Sequence, residues 1–204
     1  MNSYTLYYVY DPMCSWCWGF NKTWNKVKKS LPKNINIQYV LGGLAPDSDE
    51  IMSDKMREYI QYNWQKIEKN IPGTIFNYDF WTNCTPVRST YPACRAVIAA
   101  KNQNDQLEIS MINAIQEAYY LYAKNPSKDT TLINIAKAIG LNVTQFKKDL
   151  NSKTTQQQLD NNINLSKSLG AKGFPSIILE KNSVAKLIKI DYNNSDFILK
   201  QILT

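Results

Sequence analysis

Two of the four cysteines form the sequence Cys14-Ser15-Trp16-Cys17, a spacing that permits redox chemistry. Cys14 follows a short apolar stretch and opens a predicted helix, where unpaired backbone N–H groups and the helix dipole favour a thiolate. Cys17 lies about one turn further along the same helix face, within reach of a mixed disulfide formed on Cys14. The spacing therefore predicts Cys14 as the nucleophile and Cys17 as the resolving thiol of a disulfide-exchange site.

Two other interpretations of these cysteines stay open at this point. Cys84 and Cys94 could complete a zinc site with them, but nine residues separate that second pair and zinc motifs usually supply close pairs. The sequence therefore predicts no metal. The two cysteines could instead be buried and inert, an interpretation that does not explain why they lie between a strand and a helix.

The composition excludes several other kinds of chemistry, because 24 basic and 17 acidic residues are accompanied by no histidine. Without imidazole, Ser-His-Asp and Cys-His hydrolases and histidine-dependent metal sites are ruled out. The basic residues are mostly scattered lysines, which predicts no nucleic-acid partner. No apolar run approaches the roughly 20 residues of a membrane span, and residues 1–10 do not resemble a signal peptide. We therefore expect no membrane association and a cytoplasmic location.

The elements predicted around the motif form a β-α-β unit. A strand at 4–10 is rich in β-branched and aromatic residues, a helix at 14–30 shows apolar spacing of three and four, and a second strand covers 35–41. A long helical region follows. Its predicted helices cover 51–69, 92–103, 106–124, 130–139, 143–150 and 155–169.

The C-terminal part returns to strands and predicts a β-β-α unit. Its elements are strands at 176–180 and 184–190, connected through 181–183, and a helix at 195–203 with Ser195 as its N-cap. The predicted class is thus α/β, a thioredoxin fold of residues 1–46 and 170–204. An all-helical domain of residues 47–169 is inserted between its two halves.

A second feature, Gly173-Phe174-Pro175-Ser176, comes just before the first C-terminal strand. Proline at the start of a strand lacks the N–H that a ladder hydrogen bond needs. A cis bond before Pro175 would turn the chain sharply and bring Phe174 beside the thiols. The position of this proline at the return of the fold favours that interpretation over an ordinary loop.

The sequence resembles the DsbA family of thioredoxin-fold thiol-disulfide oxidoreductases, and in particular its FrnE-like group of disulfide isomerases. The resemblance rests on residues 11–20, Leu41–Pro46, Arg88–Ala96 and Gly173–Pro175. It implies that Cys14 attacks a disulfide, that Cys17 resolves the intermediate, and that Phe174 and Pro175 bind the substrate. It also implies protein or small-molecule disulfides as substrates and a redox partner that recycles the two cysteines.

Two departures from related patterns affect proton handling. DsbA has Pro-His between its cysteines, whereas this chain has Ser15 and Trp16, so we predict a weaker oxidant than DsbA. Many relatives also place a buried acid six residues before the first cysteine, and here that residue is Tyr8. Asp11, the nearest carboxylate in sequence, is a candidate proton acceptor. Trp16 must lie near the surface if substrates reach Cys14, and its indole would then form an apolar wall.

Two further functions remain as alternatives. Kappa glutathione transferases and 2-hydroxychromene-2-carboxylate isomerases share this architecture, but they activate glutathione and lack an intact pair of motif cysteines. A non-catalytic peptide-binding module would use the apolar surface around Trp16 and Phe174. No bound cofactor is predicted, while glutathione or another thiol is a candidate co-substrate. The oligomeric state is not predicted.

Overall fold

A computed structural model of the chain describes residues 4–182 and 184–204. Four strands and nine helices lie within those ranges. In chain order they are β1 (Tyr4–Tyr10), α1 (Ser15–Ser30), β2 (Ile35–Leu41), α2 (Asp54–Asn70), α3 (Phe80–Asn83), α4 (Tyr91–Gln103), α5 (Leu107–Tyr120), α6 (Asp129–Ala138), α7 (Val143–Leu150), α8 (Lys153–Ser168), β3 (Ser176–Lys181), β4 (Val184–Ile188) and α9 (Ser195–Leu203).

The four strands form one sheet in the order β2-β1-β3-β4. β1 and β2 are parallel, with Tyr4 opposite Ile35 and Tyr10 opposite Leu41, and α1 is the crossover that parallel strands require. β3 is antiparallel to both β1 and β4. This arrangement confirms the predicted thioredoxin fold with a helical segment between its β-α-β and β-β-α halves.

β1 lies in the centre of the sheet because both of its faces are apolar. Leu6 and Tyr8 belong to the main core, whereas Val9 packs with Val40 and Ile178 on the opposite face. Side chains of a strand alternate between faces, so a strand without a polar face has to be covered twice. α1 covers the first face of the sheet with a stripe of apolar side chains that includes the buried Phe20. α8 contacts β2 and contributes Leu165 to the cluster on the second face.

The helical segment shares its core with the sheet. One buried cluster contains Leu6 of β1, Val27 of α1, Val97 of α4 and Ile115 of α5. The domain boundaries at residues 46/47 and 169/170 stay a prediction. Among the described residues, no helix combines the length and the apolar character that a membrane crossing needs.

The ends of several elements differ from the prediction for local reasons. Asn194, and not Ser195, caps α9, since its side chain accepts the Phe197 N–H at 3.0 Å. β4 ends at Ile188 because the side chain of Gln201 binds the backbone of Lys189 in place of a strand partner. The four-residue helix α3 was not predicted. The predicted connection at 181–183 includes Ser183, which is outside the described residues.

Candidate active site

The motif cysteines lie where β1 passes into α1. A tight turn follows β1, in which the Cys14 N–H donates to the Asp11 carbonyl at 3.0 Å. Cys14 is the N-cap of α1 and its carbonyl accepts from the Trp18 N–H at 3.1 Å, so the helix begins one residue later than predicted. The first turn of α1 contains no acidic side chain. No carboxylate within this first turn therefore offsets the positive end of the helix dipole at Cys14, and the nearest one in sequence is Asp11 in the preceding turn.

The two thiols differ in their surroundings, and both are free. Cys14 is 6% exposed and borders a cavity, and its Sγ donates to the Phe174 carbonyl at 3.4 Å. Cys17 is fully buried. Burial, followed by the hydrogen bond and charge of Cys14, raises the pKa of the Cys17 thiol well above its ordinary value of 9.0. Cys17 is thus held as a neutral thiol behind a more accessible Cys14.

The loop before β3 forms the other side of the site. The Phe174–Pro175 peptide bond is cis, and the Phe174 carbonyl is the group that meets the Cys14 thiol. The Phe174 ring packs against Gly42 at the end of β2. The Gly42 N–H in turn donates to the Tyr10 carbonyl at 2.7 Å. The loop residues predicted to bind substrate therefore adjoin Cys14.

Gly42 is needed because a side chain there would overlap the Phe174 ring. A Cβ on Gly42 would lie 1.9 Å from Cε1 of Phe174. We expect Gly42→Ala to lower the free energy of unfolding by about 1–3 kcal/mol, the usual cost of overpacking. Urea denaturation measures this change. Gly173→Ala is the matched control, since its Cβ would meet no atom within 4 Å.

The same contact can be tested by removing the ring. In a Phe174→Ala background, the Gly42→Ala substitution should cost much less than in the wild type, because the two residues are coupled by direct overlap. An equal cost in both backgrounds would contradict this account of Gly42.

Asp11 is fully buried at the turn between β1 and α1. Its Oδ1 accepts the Met13 N–H at 2.8 Å, and its Oδ2 accepts the Leu44 N–H and the Thr90 hydroxyl, both at 2.7 Å. Cys94 Sγ approaches Oδ2 at 3.5 Å. Burial raises the pKa of the Asp11 carboxyl, although these hydrogen bonds act in the opposite direction. The carboxylate thus ties the motif turn to the start of α4.

Thr90 and Cys94 are parts of this site that the sequence did not assign. Both lie within Arg88–Ala96, one of the segments on which the family resemblance rests. That resemblance was the only feature of the sequence that pointed to them. Cys94 is fully buried, and burial together with the charge of Asp11 raises the pKa of its thiol well above 9.0. The proton-acceptor role of Asp11 stays a prediction. Its charge is near enough to raise the pKa of Cys17.

Tyr8 occupies the position where related proteins place a buried acid. Its ring stacks on Trp24 with centroids 4.6 Å apart. The Tyr8 hydroxyl is buried and has no hydrogen-bond partner within the described part of the chain. Burial raises the pKa of this phenol well above 10.0, with the charge of Cys17 as the second cause. Tyr8 is therefore a neutral neighbour of the resolving thiol.

A cavity of about 490 Å³ opens above Cys14. Ser15 and Trp16 of α1 border it on one side, and Phe174 lies on another. The Trp16 indole is partly exposed and meets Tyr192 edge-on, with centroids 5.3 Å apart. The remaining walls come from α2, from the segment 86–90 and from the end of α8. This volume falls in the range of about 300–1,000 Å³ that is usual for small-molecule sites.

The other two cysteines do not join the motif. Cys84 Sγ donates to the Ala123 carbonyl at 3.3 Å, whereas Cys94 contacts Asp11. In the ranges 4–182 and 184–204, no three metal-ligating side chains come together as a cluster. Cys84 and Cys94 thus have different hydrogen-bond partners, whereas Cys14 and Cys17 lie together at the start of α1.

Comparison with known proteins places the chain in a family. The thioredoxin family profile matches residues 7–200. ClpXP adapter protein SpxH of Halalkalibacterium halodurans is 25% identical over 88% of this chain, and the match covers 59% of that protein. The chain thus spans about 60% of the length of this curated relative.

Two solved structures share the architecture over nearly the whole chain. A putative protein disulfide isomerase from Nitrosomonas europaea has a TM-score of 0.85 at 24% identity, covering 98% of this chain and 96% of that one. The cytosolic disulfide reductase DsbM from Pseudomonas aeruginosa, also solved with GSH, has a TM-score of 0.75 at 22% identity, covering 96% and 92%. The chain belongs to the thioredoxin family and has the DsbA-like form of its fold.

Proposed function

We propose that the protein is a thiol-disulfide oxidoreductase in which Cys14 is the nucleophile and Cys17 the resolving thiol. The observation that carries this proposal is the difference between the two thiols. Cys14 borders a cavity at the start of α1, whereas Cys17 is buried behind it, within hydrogen-bonding reach and with a raised pKa. A substrate disulfide that enters the cavity therefore meets Cys14 as its nucleophile, and not Cys17.

The reaction consists of two exchanges. The Cys14 thiolate attacks one sulfur of a substrate disulfide, forms a mixed disulfide and releases the other sulfur as a thiolate that takes up a proton. Cys17 then gives up its proton and attacks Sγ of Cys14, which releases the second substrate thiol and leaves a Cys14–Cys17 disulfide. The substrate gains two electrons and the protein loses two. A thiol reductant returns the protein to the dithiol state, and oxidation of substrates is the reverse sequence.

The cavity supports small-molecule disulfides as well as protein disulfides as substrates. Trp16 offers an apolar wall, and the Phe174 backbone beside Cys14 can pair with an extended peptide. Glutathione is the proposed thiol co-substrate, and no other cofactor is proposed. A cytoplasmic location completes the proposal. The structural neighbour DsbM, described as cytosolic and solved with GSH, supports both statements.

A redox titration of the wild-type protein tests the proposal. The protein is equilibrated at defined ratios of reduced to oxidised glutathione, alkylated, and mapped by mass spectrometry. We expect one reversible transition in which a Cys14–Cys17 disulfide forms, while Cys84 and Cys94 remain thiols. A disulfide that includes Cys94, or four thiols that stay alkylatable at every ratio, would overturn the assignment.

An adapter role is a second candidate, favoured by the name of the curated relatives. SpxH proteins are named ClpXP adapters, and α2 presents Tyr59 and Tyr62 as exposed aromatic side chains, 61% and 62% accessible. The test adds the purified protein to ClpXP together with the substrate of an SpxH relative. Faster degradation that persists in Cys14→Ser would support an adapter that does not depend on exchange chemistry.

A further inference from the structure

Arg88 differs from the other two arginines in having no hydrogen-bond or ion-pair partner among the residues that the structure describes. Arg95 forms two hydrogen bonds to Asp47, at 2.7 and 2.9 Å, and a third to the Leu150 carbonyl. Arg57 donates to the Trp81 carbonyl at 2.9 Å. The Arg88 guanidinium makes no hydrogen bond or ion pair to any residue that the structure describes. The N–H donors of this half-buried guanidinium are therefore available to an acceptor from outside the chain.

Arg88 lies in the wall of the cavity that contains Cys14. It is held there by segment 86–90, where Met52 N–H bonds to the Pro86 carbonyl and Ser127 Oγ bonds to the Ser89 carbonyl. The positive charge of Arg88 lowers the pKa of the Tyr119 phenol, against the larger effect of burial, which raises it. Arg88 is therefore a cavity-lining residue whose charge lies close to Tyr119, another residue of the lining.

The charge of the cavity is of one sign. Lys167 and Lys172, both exposed, line it together with Arg88, and among the described residues that border it there is no aspartate or glutamate. The nearby Asp11 carboxylate is fully buried and does not line the cavity. Its two oxygens already accept hydrogen bonds from Met13, Leu44 and Thr90. A site of uniform positive charge attracts anionic ligands and disfavours cations.

From these observations we infer that Arg88 binds a carboxylate of the substrate, so that the site selects low-molecular-weight disulfides and thiols that carry carboxylates. The inference rests on the proposed function, since it concerns the substrate of the same cavity. The planar guanidinium can donate two parallel N–H hydrogen bonds to the two oxygens of a carboxylate, which also fixes the orientation of the ligand. Arg88 acts on binding and takes no part in the covalent steps at Cys14 and Cys17.

Three disulfides of one scaffold test this inference. Dithiodipropionate, hydroxyethyl disulfide and cystamine have the same spacing between sulfur and end group, and they are anionic, neutral and cationic. We expect the wild-type kcat/KM to fall in that order. Arg88→Gln should lower kcat/KM for dithiodipropionate by about 10-fold, the effect of losing one charge-assisted contact. The value for hydroxyethyl disulfide should change by less than about 2-fold.

Control variants separate charge from geometry. Arg88→Lys keeps the positive charge but loses the two parallel N–H donors of the guanidinium. Its kcat/KM for the anionic substrate should therefore lie between those of the wild type and Arg88→Gln. Lys147→Gln removes an exposed cation of α7 that does not line the cavity, and it should have little effect on any of the three substrates. An equal loss for all three disulfides in Arg88→Gln would show that Arg88 only supports the fold. An unchanged preference for the anion would also overturn the inference.

A binding measurement keeps this test separate from the proposed function. Thiodipropionate and thiodiethanol contain a thioether and cannot undergo exchange, so calorimetry reports binding alone. We expect the wild type to bind the dicarboxylate more tightly than the diol, and Arg88→Gln to lose about 10-fold of that affinity. Equal affinity of the wild type and Arg88→Gln for the dicarboxylate would contradict the inference. Inactivity of the wild type on all three disulfides would instead contradict the proposed function.

Discussion

Replacement of Cys14 by serine is expected to reduce disulfide exchange to background, a loss on the order of 10³-fold or more. A serine hydroxyl cannot form the mixed disulfide, and the remaining motif thiol is buried and protonated. Reduction of hydroxyethyl disulfide, coupled to a thiol reductant, measures the rate. Cys84→Ser is the control, because Cys84 lies outside the cavity lining and should leave the rate unchanged.

Cys17→Ser should behave differently from Cys14→Ser. It leaves the nucleophile and the cavity intact, so the first exchange proceeds and the mixed disulfide on Cys14 accumulates. Intact-protein mass spectrometry detects the adduct and its position. Failure of Cys17→Ser to trap any adduct would contradict the assigned order of attack. Glutathione conjugation that survives in Cys17→Ser would instead favour the glutathione-transferase alternative.

Replacement of Asp11 by alanine is expected to lower the free energy of unfolding by about 4 kcal/mol. Two backbone N–H groups would lose their acceptor, and each buried polar group left without one costs about 1–3 kcal/mol, while the Thr90 hydroxyl would keep only its longer contact with the Ala45 carbonyl. Urea denaturation measures the change. Asp149→Ala is the matched control, since Asp149 is a half-buried aspartate whose contact with the exposed Gln145 contributes little.

The pH dependence of stability gives a second measurement on Asp11. Burial places the pKa of Asp11 above its ordinary value of 3.8. The folded protein then binds this proton more tightly than the unfolded chain, so the contribution of this group to stability falls as pH rises from 3.8 through its raised value. Asp11→Asn does not titrate and should lack that part of the slope. An unaltered slope, or a cost of less than 1 kcal/mol in Asp11→Ala, would contradict the described role.

The elements near the motif could be predicted because local patterns determine them. The strands at 4–10 and 35–41 are apolar and β-branched, and the predicted bounds agree with β1 and β2. α1 shows helical spacing of its buried residues. α3 could not be predicted, since four residues contain too little periodicity, and the end of β4 depends on Gln201 of α9.

The candidate site was predictable only where its residues are close in sequence. Cys14 and Cys17 follow from their spacing and position. The partners of Asp11 do not, because Thr90 is 79 residues away and is brought there by the packing of α4. Arg88 illustrates the same limit. Its sequence context did not distinguish it from Arg95, whereas the structure gives Arg95 partners on three sides and leaves Arg88 in the cavity.

The contact between the Cys14 thiol and the Phe174 carbonyl joins groups 160 residues apart, and this separation bears on how the protein is made. During synthesis the two motif cysteines emerge long before Phe174. On a nascent chain neither thiol is covered, so the two sulfurs are equally open to oxidants and to each other. The distinction between an attacking and a resolving cysteine is a property that the chain acquires only after the segment that contains Phe174 has been added.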